Sequence, residues 1–243
     1  MERQHRLRQL ATALAIASGM VVATAGVRAQ EHAHEGKTKV DPKINETFRN
    51  PDPKAFVKRF ESESREPYAR RHEIVAQLEL KPGMAAADIG AGTGFFSRLM
   101  AEKVGPKGKV YAVDVAKPFL KHIEAEARKQ GLNQIVTVLG SQDSTNLPPN
   151  SVDVVFFSDV YHHLEHPQKT LATIHRALHK GGRLVIVEFD RVEGRSSGFV
   201  LKHIRAGQDV FRKEIESAGF VVIPTPNPPK LKENFFLRFE KKG

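Results

Sequence analysis

Residues 87–96 read Ala-Asp-Ile-Gly-Ala-Gly-Thr-Gly-Phe-Phe. This is a G-x-G-x-G turn between a short apolar run at 84–89 and a segment that carries Phe95, Phe96, Leu99 and Met100 at helical spacing. Such a turn leads from a buried strand directly into an amphipathic helix. Glycine opens backbone angles closed to other residues and lets a ligand approach the main chain, while the first-turn amides of the following helix point outward unpaired. A small polar ligand fits at that strand end. A G-x-G-x-x-G dinucleotide turn needs a third glycine for close helix-to-strand packing where this chain has Phe95, which weighs against an NAD(H)-dependent oxidoreductase.

Strand and helix patterns then alternate. Residues 109–114 read as a second strand ending in Asp114, near the roughly 20-residue spacing at which a doubly wound fold sets its ribose-binding carboxylate. A cap for the helix beginning near Ala116 is the plainer role for the same side chain. A helix with Phe119, Leu120, Ile123 and Ala127 on one face follows, then a strand at 135–139 and a turn-rich stretch through Asp143, Ser144 and Pro148. Residues 152–157 are apolar enough for a strand covered on both faces. After it come Ser158-Asp159-Val160-Tyr161-His162-His163, a helix at about 167–179 with proline in its first turn, and a fifth strand at 183–189 behind Gly181-Gly182. A helix at 210–218 precedes strands at 219–223 and 234–239. The turn between those strands is too short for a crossover helix, so they pair antiparallel.

These residues carry a resemblance. Asp88 with Gly90, Gly92 and Gly94, then Asp114, Asp143 four residues before Leu147-Pro148, the Tyr-His-His segment and the Gly-Gly-Arg-Leu-Val-Ile-Val run occur in the order of the class I S-adenosylmethionine (SAM) dependent methyltransferases, over about 56–240. Lys180 stands where that family often has proline. The chain resembles the small-molecule branch, and within it a bacterial subgroup of exported or envelope-associated proteins. The resemblance implies an α/β fold: a Rossmann-like seven-stranded sheet of order 3-2-1-4-5-7-6, last strand antiparallel, with helices on both faces. It implies SAM as cofactor, held by Asp88, Gly90, Gly92, Gly94, Asp114, Val115, Asp143 and Ser144, with Asp143 at the adenine edge. Read without it, Asp143 is a turn residue.

Ligands in open α/β sheets bind outside the carboxyl ends of the strands, at the switch point between strands one and four. That sets Asp159, Tyr161, His162 and His163 near the chemistry, with Glu188 and Asp190 as neighbours. Histidine, with an ordinary pKa near 6.5, is the natural base at neutral pH. His163, His162, Asp159 and His203 are therefore the catalytic candidates, and only one of the adjacent histidines is expected to face the pocket. His203 with Arg205 is a second candidate pair for substrate orientation. Helical residues at 53–80, interrupted near Pro67, form a cover from which Glu61, Arg65, Tyr68 and Arg71 could reach substrate.

Length and composition allow one sizeable core: 243 residues, 40% of them hydrophobic, with no repeat or low-complexity tract. Arg3, Arg6 and Arg8 before an uncharged Ala-rich run, and Val27-Arg28-Ala29 before Gln30, read as a secretory signal over 1–29, with an uncleaved anchor as the alternative. The expected organisation is a signal peptide (1–29), a flexible tail (30–52), the helical cover (53–80) and the methyltransferase domain (81–243), in an exported, periplasmic protein with no stable membrane span once the signal is removed. The net charge of +10 is scattered, and without tryptophan or an aromatic-basic stripe it does not suggest a nucleic-acid partner. There is no cysteine, hence no disulfide or thiolate site, and no metal is expected; His32 and His34 in Glu-His-Ala-His-Glu could at most bind Cu or Ni weakly. The sequence leaves open an active enzyme on a small-molecule acceptor, a non-catalytic binding module and, behind both, a dinucleotide oxidoreductase. It does not give the oligomeric state.

Overall fold

A computed structural model describes residues 40–243. The expected signal segment and His32 and His34 lie outside the described residues. No helix of the described residues is long and apolar enough to cross a membrane.

The sheet has seven strands: β1 (Ala85–Ile89), β2 (Lys109–Asp114), β3 (Ile135–Leu139), β4 (Val152–Ser158), β5 (Leu178–Phe189), β6 (Phe220–Ile223) and β7 (Asn234–Lys241). Their order is β3-β2-β1-β4-β5-β7-β6. The first five are parallel, and β7 runs antiparallel to both β5 and β6. This is the architecture the motif order implied. β5 starts five residues earlier than its apolar pattern suggests. Leu178 already pairs with Val152, and a register shift follows before Val154 meets Arg183.

Alternation along β4 divides the core into two layers. Val155 and Phe157 face Leu171 and Ile174 of α6 (Pro167–Ala177) and Phe211 and Ile215 of α8 (Gln208–Ser217). Val154 and Phe156 face Ile74 and Val75 of α3 (Arg71–Gln77) and Phe96, Met100 and Val104 of α4 (Phe95–Val104). A strand buried on both faces has to read as a continuous apolar run, as β4 does. α5 (Lys117–Lys129) buries Phe119, Leu120, Ile123 and Ala127, the stripe visible in its sequence.

The segment before the sheet differs from expectation in three ways. The cover is three pieces, α1 (Pro53–Phe60), α2 (Glu66–Ala69) and α3, and Pro67 sits in the first turn of α2, where its missing N–H costs nothing. α3 belongs to the core, with Ile74 and Val75 buried and Leu78 fully buried just past its end. Pro42–Phe48, assigned to the flexible tail, forms a 3-10 helix capped by Asp41, and its Asn45 is buried. Polar composition suggested a tail there, but Phe48 anchors the segment on Phe56 at 5.4 Å between ring centres.

Gly94 begins α4 at φ +73, and a Cβ there would lie 2.7 Å from Cγ1 of Ile123 on α5. Backbone strain and a clash with a packed side chain act together, so Gly94→Ala is expected to lower stability by about 1–3 kcal/mol in urea unfolding. A variant as stable as the parent would mean that α5 is free to move away.

Candidate active site

The carboxyl ends of β1 and β2 are laced together. The amides of Gly90 and Ala91 donate to the carbonyl of Val113 at 2.8 and 3.0 Å, and those of Gly92 and Ala116 donate to Oδ2 and Oδ1 of Asp114 at 2.9 and 2.8 Å. Asp114 is thus both a cap for the chain entering α5 and the anchor of the glycine turn, and it still faces a cleft of about 650 Å³ at the sheet's switch point. A Cβ on Gly90 would fall 2.5 Å from Val160, so β4's following loop already fills the space a side chain would need.

Asp88, Gly90, Gly92, Asp114, Val115 and Ser144 all line the cleft. Gly94 supports the turn from behind, against Ile123. Asp143 lies outside it: its carboxylate is exposed, accepts from Ser141 Oγ at 2.8 Å and sits 3.6 Å from Lys169 Nζ. The Ser141 hydrogen bond, with Lys169 helping, holds its pKa below the usual range. The neighbours Ser141 and Gln142 are the cleft residues of that loop.

A buried hydroxyl tests whether these residues fit SAM. Thr93 Oγ1 lies in the turn with no hydrogen-bond partner, and Thr93 lines the cleft. Unpaired buried polar groups are costly, so a polar ligand is the natural partner. Asp114 offers remaining lone pairs to a ribose diol, Val115 and Phe119 an apolar flank to a base, and Asp88 a carboxylate to a cationic ligand. The donor set fits.

Asp88 is buried, and burial pushes its pKa up to about 6, with Asp114 adding to the rise and Ser97, which donates to it at 2.6 Å, opposing it.

The other half of the cleft is built by the chain after β4 and by α7 (Gly198–His203). Asp159 takes φ +52, a strained conformation for a residue with a side chain. Its Oδ2 pairs with Arg65 and its Oδ1 accepts from Asn234 Nδ2 at 2.6 Å. Burial raises its pKa to about 6 against the pull of Arg65. Next comes the 3-10 turn Tyr161–His163. Tyr161 turns into the core and donates to Glu214 Oε2 at 3.0 Å, away from the chemistry it was expected to adjoin. Both histidines line the cleft, where only one was expected, because the tight turn sends Tyr161 inward and leaves the two rings 4.1 Å apart on the open side.

Both rings are tied at Nδ1: His162 to Glu188 Oε1 and His163 to Asn45 Oδ1, each at 2.8 Å. Asn45 is fixed by its own donations to the carbonyl of His163 and to Glu165. Burial pushes both histidines well below the usual range and pushes Glu188 up, each toward its neutral form. The expectation of an ordinary histidine base near 6.5 is therefore corrected. His203 joins them, its ring 5.2 and 5.3 Å from those of His162 and His163 and stacked on Phe199 at 4.9 Å. Arg205 is elsewhere, in a bidentate pair with Glu214.

Of the cover residues, Arg65 lines the cleft. Glu61 instead accepts two hydrogen bonds from Arg98, which also holds the carbonyl of Thr93, so it clamps the cover onto the glycine turn. Asn45, Asn234 and Phe199 were not legible as site residues. They come from a polar tail, a strand start and a surface helix, and only tertiary packing brings them together.

Residues 87–186 match the family model described as Methyltransferase domain. A SAM dependent methyltransferase from Aquifex aeolicus has the same fold, with a TM-score of 0.66 and 25% identity over 79% of this chain and 100% of the other. Residues 87–186, the family model's span, thus lie in a chain with the fold and motif order of the class I SAM-dependent methyltransferases, and SAM is the cofactor that likeness implies. In sequence it is similar to a demethylmenaquinone methyltransferase of Geobacillus stearothermophilus, 29% identical over 118 residues, 49% of this chain and 50% of that one. It is also similar to the ubiquinone/menaquinone biosynthesis C-methyltransferase UbiE of Burkholderia vietnamiensis, 31% identical over 120 residues, 49% of this chain and 48% of that one. The match thus spans about half the length of these relatives.

Two predictions come from the carboxylates. Asp114→Ala is expected to weaken binding of S-adenosylhomocysteine by about 1–3 kcal/mol in calorimetry, the cost of a lost charged hydrogen-bonding partner; unchanged affinity would remove Asp114 from the site. For Asp88, the folded pKa of about 6 lies above the ordinary 3.8, so its contribution to stability is full below pH 3.8 and is lost as pH rises through about 6. Asp88→Asn removes that loss and is expected to stabilise the ligand-free protein at pH 8 by up to about 3 kcal/mol, and by less near pH 4.5, in urea unfolding. Equal effects at both pH values would contradict the raised pKa.

Proposed function

We propose that the protein is an active methyltransferase that moves the methyl group of SAM to a small, largely apolar aromatic or quinol-like acceptor. The observation that carries this reading is the continuity of the cleft: the glycine turn and Asp114 at one end, Phe189, Phe199 and the three histidines at the other, in one cavity. The similarity to proteins named as quinone methyltransferases supports the acceptor class.

Bound SAM supplies an electrophilic methyl sulfonium whose leaving thioether is neutral, so alignment and exclusion of water can supply much of the catalysis. The protein's residues suit that task. Asp159, held by Arg65 and Asn234, fixes the floor beside Val160. The neutral histidines, locked at Nδ1 by Glu188 and Asn45, present their remaining nitrogens to an acceptor hydroxyl and orient it. Phe48 from the segment before α1 closes on His163 edge-on at 5.0 Å and helps to exclude water. The proton released by a hydroxyl or an aromatic carbon passes to solvent at the cleft mouth. We further propose, from the N-terminal pattern, that the protein works outside the cytoplasm, which cell fractionation would check.

The test is transfer of label from methyl-labelled SAM to a panel of demethylated quinols and catechols. Transfer to at least one, abolished by S-adenosylhomocysteine, is expected. Tight cofactor binding with no transfer to any member would favour a non-catalytic binding module. His163→Ala is expected to lower turnover roughly 10- to 100-fold through misalignment while leaving cofactor affinity nearly unchanged. A large loss of cofactor affinity would make His163 part of the cofactor half instead.

A further inference from the structure

We propose that His162, His163 and His203 form a binding site for one divalent transition-metal ion, with open coordination positions facing the acceptor half of the cleft. One ring nitrogen of each lies within 4.8 Å of the other two. The three residues come from two elements separated in sequence, the turn after β4 and the end of α7, so the convergence is a product of the fold.

The surroundings match what a metal-ligating imidazole needs. Such a ring usually gives its second N–H to a carboxylate or amide oxygen, which fixes the tautomer and aims the lone pair at the ion. Glu188 accepts from the amides of Phe189 at 2.8 Å and His162 at 3.2 Å, so its oxygens are held as acceptors facing Nδ1 of His162. Asn45 cannot turn its nitrogen toward His163, because that nitrogen already donates to a carbonyl and to Glu165. Nδ1 of both rings therefore carries the proton, and Nε2 is left to ligate. Ligands about 2.0–2.1 Å from an ion require the three nitrogens to draw in by roughly 1 Å. His203 is half-buried at the end of α7, and among the described residues no hydrogen bond holds its ring, unlike those of His162 and His163.

Three imidazoles suit Zn²⁺, Fe²⁺, Co²⁺ or Ni²⁺ rather than Mg²⁺ or Ca²⁺, which prefer oxygen. The role of the ion, unlike its binding, rests on the methyltransferase reading, with the ion standing between the histidine nitrogens and the acceptor hydroxyl in place of their direct contact. An acceptor hydroxyl would lose its proton to water and bind the ion through oxygen, which holds the acceptor as a phenolate or enolate beside the methyl donor. The site is not visible in the sequence, because only the fold returns α7 to the Tyr-His-His turn.

The test is titration of the chelator-stripped full chain with Co²⁺, followed by visible absorption, with S-adenosylhomocysteine affinity and circular dichroism measured on the same samples. His32→Ala/His34→Ala is expected to keep one equivalent of bound Co²⁺ per chain. His203→Ala is expected to lose it with fold and S-adenosylhomocysteine affinity intact. Glu188→Gln is expected to weaken Co²⁺ roughly 10- to 100-fold, as loss of a ligand-orienting carboxylate does. Failure to bind Co²⁺, loss of binding in His32→Ala/His34→Ala, or full binding in His203→Ala would overturn the site. Because S-adenosylhomocysteine affinity is read separately, that failure would leave the cofactor half standing.

Discussion

The Asp114 carboxylate is the tie on which the rest of the structure depends. One oxygen takes the amide of the glycine turn and the other takes the amide that leads into α5. With the main-chain bonds from Gly90 and Ala91 to Val113, this fixes the loop after β1 to the end of β2 and opens the cleft where the sheet reverses direction. Burial raises the pKa of Asp114, and the amides of Ala116, Gly92 and Val115 work against that rise. A carboxylate satisfied by main-chain donors can stay ionised in a buried setting and still have lone pairs to offer. Structural cap and ligand site, alternatives for one residue on sequence grounds, are therefore compatible roles.

Burial without full charge compensation sets the chemistry of the other half. Asp88, Asp159 and Glu188 are all driven up, and His162 and His163 are driven down. Every one of these groups is pushed toward its neutral form, because burial penalises charge of either sign. A neutral imidazole keeps a nitrogen lone pair free for a ligand. The same burial is unfavourable to the empty fold, in keeping with the strain of Asp159 at the cleft floor.

The sheet was readable because its signals are local. Continuous apolar runs marked β1, β2 and β4, helical stripes marked α4 and α5, and the short Pro-rich turn before β7 required an antiparallel return. The glycines and Asp114 were readable because a tight turn and a strand-end carboxylate have few substitutes. What escaped was tertiary. Asp143 occupies the right sequence position, but Ser141 and Lys169 turn its side chain outward. Pro42–Phe48 looks like a polar tail until Phe48 and Asn45 find Phe56 and His163. Adjacent side chains at a helix start point different ways, yet a 3-10 turn that buries Tyr161 keeps the two histidines together.

Binding of SAM at the Asp114 end of the cleft is the property from which the other roles follow. Calorimetric titration of the protein with SAM and with S-adenosylhomocysteine, and NAD(H) as control, tests it directly. Saturable binding of the first two at one site per chain, with none for NAD(H), is the predicted result. Well-folded protein that binds neither, or that binds NAD(H) in their place, would contradict it.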